Sequence, residues 1–275
     1  MLSLLKTDLK RALKDKLFIV LLIIAAAFAI LTPILYKTIF TVLKVDEELL
    51  LYLENLGFAI NAKSMFFDSF SLSNNFGLML PIFVAIILCR DFSNGTIRNK
   101  IICGKSRASI YFSLLITCTV LICSFILFHA VITLLVALLL FDYQATNFTI
   151  NDFGYLMASI GIEILVYVLI CTILTFFIVL MRNAGLTIVM FFVVSFAMII
   201  LGGIIETTII FADTSKFSYK ILEFLYASNV FTTKIIGTGV EYNLKELIYL
   251  IMPTLAFVTL FILLGLVTFK KKDLK

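Results

Sequence analysis

Charge is scarce in this sequence: 14% of its 275 residues are Asp, Glu, Lys or Arg, while 62% are hydrophobic. Soluble domains are roughly 45–50% apolar, so this composition excludes a water-soluble globular fold and sets the class as an integral membrane protein. Histidine occurs once, as His129, which rules out a multi-histidine metal site. The five cysteines, Cys89, Cys103, Cys118, Cys123 and Cys171, contain no CxxC pair, so neither zinc nor dithiol redox chemistry is indicated. Glycine-rich phosphate loops are missing as well. Gly104-Lys105-Ser106 has the end of such a loop, but the required glycine five residues earlier is Asn99. No set of nucleophile, base and orienting residue stands out, which argues against a membrane enzyme.

What is present is a series of long apolar runs. A helix crosses the hydrocarbon with about 20 apolar residues, and six such runs occur near 17–36, 70–89, 111–141, 156–181, 186–212 and 247–269. Their Leu, Ile and Phe filling favours helices over barrel strands, which alternate polar and apolar residues. The expected fold is therefore all-α: one polytopic domain over residues 1–275 with six transmembrane helices in the lipid bilayer.

Lys and Arg set the orientation, because cytoplasmic connections retain them. With both termini inside, the inner side holds Lys6, Lys10, Arg11, Lys14, Lys16, Arg90, Arg98, Lys100, Lys105, Arg107, Arg182, Lys270, Lys271, Lys272 and Lys275, 15 of the 22 basic residues. Eleven of the 17 acidic residues fall outside. The net charge of +5 thus follows from topology and implies no nucleic-acid partner. The five cysteines lie in spans or on this inner side, so no disulfide framework is implied.

Residues 1–16 carry Leu2, Leu5, Leu9 and Leu13 on one helical face and cations elsewhere, the pattern of an interfacial helix. A signal peptide cleaved near Ala27-Phe28-Ala29 is the competing view, opposed by the long charged lead-in and by an apolar run that continues past Pro33. Between the first two spans, Asp46, Glu47, Glu48 and Glu54 surround the apolar Leu49–Leu53, read either as a short outer helix or as a solvated loop.

The stretch 90–109 is the most distinctive polar segment. Ser93 or Asn94 can cap a helix, Gly95 loosens the entry and Gly104 can end it. Between them Ile97, Ile101 and Ile102 stand beside Arg98, Lys100 and Lys105. This spells a short amphipathic helix parallel to the membrane; the other reading is an ordinary basic loop that holds topology.

Two acids fall within spans. Glu163 lies about 7 residues from the outer end of span four, roughly 10 Å deep at 1.5 Å per residue. Its burial costs on the order of 3 kcal/mol against around −10 from about 20 apolar residues, so the span survives with Glu163 facing protein or water. It is either a pathway or gating residue or a packing contact. Near the outer end of span five, Gly202-Gly203 interrupts the helical pattern and Glu206 follows. Residues 213–246, with Ile221, Leu222, Phe224, Leu225, Tyr226, Ile235 and Ile236, are too apolar for a free loop and are expected to form short helices re-entering the outer leaflet.

Asp91, Gly95-Thr96-Ile97, the pair Ile101-Ile102 and Ser106-Arg107 together resemble the first inner loop of permease subunits of the ABC type 2 exporter family. The likeness extends over nearly the whole chain: interfacial helix, six spans, a broken outer end of span five and a re-entrant segment before span six. It departs in having Asp91 where Glu is usual and Gly104-Lys105 where a proline is common. The resemblance implies a permease of the plasma membrane with both termini cytoplasmic, paired with a second permease copy or a paralogue. ATP and Mg would be bound by separate ABC ATPase subunits, and this chain would hold no cofactor. The loop 90–109 would be the cytoplasmic coupling segment, with Asp91, Gly95, Thr96, Ile97, Arg98, Ile101, Ile102, Ser106 and Arg107 contacting or supporting the ATPase. Glu163, Gly202, Gly203 and Glu206 would line the pathway or its outer gate. Short permeases of this family resemble peptide exporters, and the Phe-rich spans suit an amphipathic cargo; lipid-linked glycan, drug and sodium export stay open. An ion- or proton-coupled secondary transporter is the alternative, although no internal repeat supports it.

Overall fold

In the computed structural model the described residues are 2–42, 61–70, 80–141, 150–211, 217–231 and 244–272. They form ten helices and no strand: α1 Leu2–Leu13, α2 Lys16–Val42, α3 Ala62–Asp68, α4 Leu80–Ser93, α5 Thr96–Ile102, α6 Arg107–Leu140, α7 Ile150–Met181, α8 Ala184–Phe211, α9 Phe217–Ala227 and α10 Leu244–Lys271. Five of these, α2, α6, α7, α8 and α10, are long and apolar enough to cross a membrane. The count becomes six if α4 and α5, bent 52° from each other, are taken as one interrupted span. The all-helical, multi-pass architecture expected from the apolar runs is thus present. The acidic segment around Asp46, Glu47, Glu48, Leu49–Leu53 and Glu54 lies outside the described residues, as do Ile235 and Ile236.

α7 is the axis of the bundle: 67% of its most apolar stretch is buried, against 17% for α8 and for α10. It packs on α10, α6 and α8. α6, at 34 residues, runs about 50 Å and so exceeds a hydrocarbon layer of about 30 Å. One consequence is that α6 has length to spare for contacts beyond the apolar layer. α2 lies along α6 through a narrow seam of Phe18, Leu21, Ala25, Ala29 and Pro33. Small residues at that seam let the backbones approach, the usual way helices associate where burial from water offers no drive. The tightest fit is between α6 and α10. A Cβ built on Gly265 would stand 2.6 Å from Cζ of Tyr111, and Tyr111 is itself fully buried.

Turns between spans are set by local chemistry. Arg182, at φ 54°, closes α7 in the left-handed region, and Asn183 then accepts from the Leu186 N–H at 3.2 Å to open α8. α3 starts with a reciprocal cap between Asn61 and Ser64 and buries Ala62, Met65, Phe66 and Phe67. Just beyond it, the Phe70 carbonyl accepts from the Tyr167 hydroxyl of α7 at 2.7 Å.

One expectation is corrected. α8 runs unbroken through Gly202 and Gly203; glycine in a helix costs only about 1 kcal/mol, which the other 26 positions of a long apolar helix absorb. The apolar content of 213–246 does include a helix, α9, which carries exposed Phe217, Ile221, Phe224 and Leu225. The chain after it turns inward: Asn229 donates to the Met198 carbonyl of α8 at 2.8 Å, and Val230 and Phe231 are buried.

Candidate functional site

The basic segments that the sequence assigns to one side meet at one end of the bundle. The joint forms where α1, α4, α5 and the start of α6 converge. α1 presents Leu4, Asp8 and Ala12 as its buried stripe, four residues apart and hence on one face, and leaves Lys6, Lys10, Arg11 and Lys14 exposed. On the Leu2-Leu5-Leu9-Leu13 face expected for an interfacial helix, Leu5 and Leu9 are half-buried and Leu13 is exposed, so the leucines lie beside the bundle instead of in its core. The stripe that faces the bundle packs on α6, with Leu4 and Ala12 in the main core and Asp8 between them.

Asp8, only 3% exposed, receives the Lys100 ammonium on both oxygens at 2.8 and 2.9 Å and the Ser113 hydroxyl at 2.7 Å. Asp91, also 3% exposed, is ion-paired with Arg11 and stands 3.7 Å from Lys100. Two cations therefore neutralise two buried carboxylates where three helices cross, with Arg11 reaching in from the exposed side, which is the condition for holding the carboxylates away from water. A more exposed pair, Arg90 with Asp15 at 3.0 Å, ties the end of α4 to the α1–α2 connection.

α5 sits over this joint. Neither Ser93 nor Asn94 caps it: the N-cap position falls on Gly95 with φ 68° and no side-chain bond, because the turn out of α4 needs a left-handed residue there, which glycine supplies without steric cost. Its exit matches expectation. Gly104, at φ 76°, donates to the Ile101 carbonyl at 2.9 Å while Lys105 donates to Lys100 at 3.1 Å, the paired bonds of a Schellman ending. Ser106 then opens α6 by accepting from the Ser109 N–H at 3.2 Å.

The faces of α5 divide differently from the isoleucine pattern. Ile97 is 1% exposed and belongs to the main core, Ile101 packs against that core, and Lys100 between them reaches Asp8. Arg98 and Asn99 are exposed, and Ile102 is 73% exposed. Of the residues expected at the coupling segment, Asp91, Ile97 and Ile101 thus look inward, while Arg98 and Ile102 look outward. Gly95 and Thr96 are half-buried and Ser106 is exposed.

Arg107 has a clear task. It donates to the carbonyls of Phe269, Lys270 and Lys272 at 3.2, 2.7 and 3.0 Å, satisfying carbonyls left over at the C-terminus of α10. Lys272 in turn donates to the Leu180 carbonyl near the end of α7; partial burial, then the Arg182 charge, lowers its pKa.

Away from this end, Glu163 is 1% exposed on α7, and its Oε1 has no hydrogen-bond partner among the described residues. Gly202, Gly203 and Glu206 lie along α8, Gly202 buried and the other two half-buried. Among the described residues no group of three or more His, Cys, Asp or Glu side chains has the arrangement of a metal site.

Asp8, Arg11, Lys100 and Ser113 complete the joint; Asp8 and Ser113 were not singled out from the sequence, and Arg11 and Lys100 entered only as basic residues of the inner side. The signal for Asp8 was an acid placed between Leu4 and Ala12 on one stripe of a helix otherwise rich in leucine.

These helices and their charged joint define a multi-pass helical membrane protein. The chain belongs to the family described as protein of unknown function DUF2705, which matches residues 22–275. α1, with Asp8 and Arg11, precedes that match, whereas Asp91, Lys100, Arg107 and Ser113 lie within it. No curated protein matches the chain.

Proposed function

We propose that this chain is the membrane-spanning permease subunit of an ATP-driven exporter of the ABC type 2 kind. It pairs with a second permease copy or a paralogue, and ATP with Mg is bound and hydrolysed in separate ATPase subunits. The basic end faces the cytoplasm, as the Lys and Arg distribution favours, and the membrane is the plasma membrane. An amphipathic substrate, a peptide foremost, leaves past the opposite end near Gly202 to Glu206.

The observation that carries the reading is the form of α5. It is a short helix bent 52° from α4, bounded by two left-handed glycines, anchored inward by Ile97 and presenting Arg98, Asn99 and Ile102 outward. A transporter driven by a separate ATPase needs a rigid element that the partner grips and whose displacement shifts the bundle between states.

The test is purification of the full chain in lipid nanodiscs, alone and with the ABC ATPase expressed beside it. The chain alone is expected to hydrolyse no ATP. Arg98→Glu with Ile102→Asp is expected to abolish capture of the ATPase while the permease elutes and unfolds as before. ATP hydrolysis by the permease alone, or undiminished capture by that variant, would overturn the assignment.

A second reading, ion- or proton-coupled transport without an ATPase, draws on Glu163, a buried carboxylate with one oxygen unpartnered inside a span. Transport driven by an imposed ion gradient in vesicles lacking any ATPase, and lost in Glu163→Gln, would favour it.

A further inference from the structure

We infer that α1 and α5 move as a single body, and that Asp8 is the positioning residue that joins them. This rests on the reading of α5 as the element a partner grips, and it changes what is gripped: a two-helix unit instead of one short helix.

α5 cannot set its own direction. Seven residues fall well short of the about 12–15 that a helix needs to be even marginal by itself, and its N-terminus has no side-chain cap. Its orientation must come from tertiary ties, and the inward stripe Ile97-Lys100-Ile101 supplies them. Ile97 provides burial, which is non-directional. Lys100 provides direction, because its ammonium is held by both oxygens of Asp8 and stands 3.7 Å from Asp91. Asp8 also accepts from Ser113 of α6 on Oδ2, an oxygen that Lys100 contacts as well, and Arg11, one turn further along α1, pairs with Asp91 of α4. Every charged member of the joint thus contacts a helix other than its own.

Stability alone gives little reason for such an arrangement. Replacing a buried ion pair by apolar residues of similar size is often neutral or stabilising, and the neighbours of Asp8 on its stripe, Leu4 and Ala12, are apolar. What a charge pair adds over an apolar contact is a defined geometry: if Lys100 leaves, the buried Asp8 carboxylate keeps only the Ser113 hydroxyl and the Arg11 guanidinium at 3.8 Å and loses its two charge-assisted hydrogen bonds. A pull on the outward face of α5 is therefore carried to α1, and from Leu13 through the two-residue connection into α2.

The experiment uses the full chain in nanodiscs and spin labels on native Cys103, exposed at the end of α5, and on Lys10→Cys on the exposed side of α1, with Cys123→Ser removing the half-buried thiol. The inter-label distance distribution is expected to be narrow. Asp8→Asn, which keeps shape and removes charge, should broaden it at least twofold, and Lys100→Met, which keeps the stem, should do the same. Lys100→Arg should keep it narrow. A distribution that stays narrow in both Asp8→Asn and Lys100→Met overturns the inference, because packing then suffices. Failure of both variants to fold overturns it too, since the pair would then serve stability and not position. No ATPase enters the measurement, so a broadened distribution together with failure to capture an ATPase would retain the joint and remove the permease reading.

Discussion

The two ends of α6 are held by opposite means. Near its start, α6 meets the buried Asp8 of α1 through the Ser113 hydroxyl and the C-terminal carbonyls of α10 through Arg107. Toward its far end it meets α2 and α3 through apolar packing alone, Ala137 with Ala62 and Met65 beside Tyr36, while near the start the close ring contact of Tyr111 with Gly265 of α10 lies alongside the polar ones. Apolar packing of the second kind tolerates no added volume but carries little directional information. Polar contacts of the first kind tolerate some volume change and depend on which atom faces which. A membrane protein can stay folded through the one while it is positioned through the other.

The largest effect is expected where close packing is violated. Gly265→Ala places a methyl group 2.6 Å from the ring of buried Tyr111, and overpacking of this severity costs about 3 kcal/mol. Thermal unfolding in detergent should show a large drop, and Tyr111→Leu in the same chain should recover part of it. An unchanged midpoint for Gly265→Ala would mean that α6 and α10 slide freely past each other.

An intermediate effect separates the two faces of α5. Ile97→Ala removes buried methylenes and is expected to cost about 2–3 kcal/mol, whereas Ile102→Ala, at a 73% exposed site, should stay within about 0.5 kcal/mol. Unfolding of the two variants side by side checks this, and equal losses would show that both isoleucines are covered by protein.

A smaller loss than that of Ile97→Ala concerns the bend. Gly95→Ala meets open space around the new methyl but forces alanine into a left-handed conformation, a cost of about 1–2 kcal/mol. A modest loss of stability is expected, because the angle between α4 and α5 relaxes; on the exporter proposal, weaker capture of a separate ATPase in a pull-down accompanies it. A variant as stable as the parent would show that the bend does not need the left-handed residue.

Much of the fold was legible because membrane insertion selects for one-dimensional features. Length and apolar filling placed α2, α6, α7, α8 and α10 within a few residues, and Gly104 announced the end of α5 because only a glycine suits that ending. The Lys and Arg distribution grouped α1, the α4–α6 connection, Arg182 and the C-terminal lysines, and these do meet at one end. The division of α5 was not legible, since Ile97, Ile101 and Ile102 look alike in composition and only a neighbouring core distinguishes them. The continuity of α8 through Gly202 and Gly203 likewise depended on surrounding helix outweighing a local weakness.

By itself, the sequence determined a helical membrane protein with a basic end and a short punctuated helix there, because hydrocarbon solubility and backbone conformation are properties of single residues and their near neighbours. Only the tertiary structure decided that Asp8 and Lys100 bind each other, that Arg107 closes the end of α10 and that Ile97 is an anchor. Those pairings join residues 92 and 162–165 positions apart, and a separation of that kind is settled by how helices pack, not by any pattern along the chain.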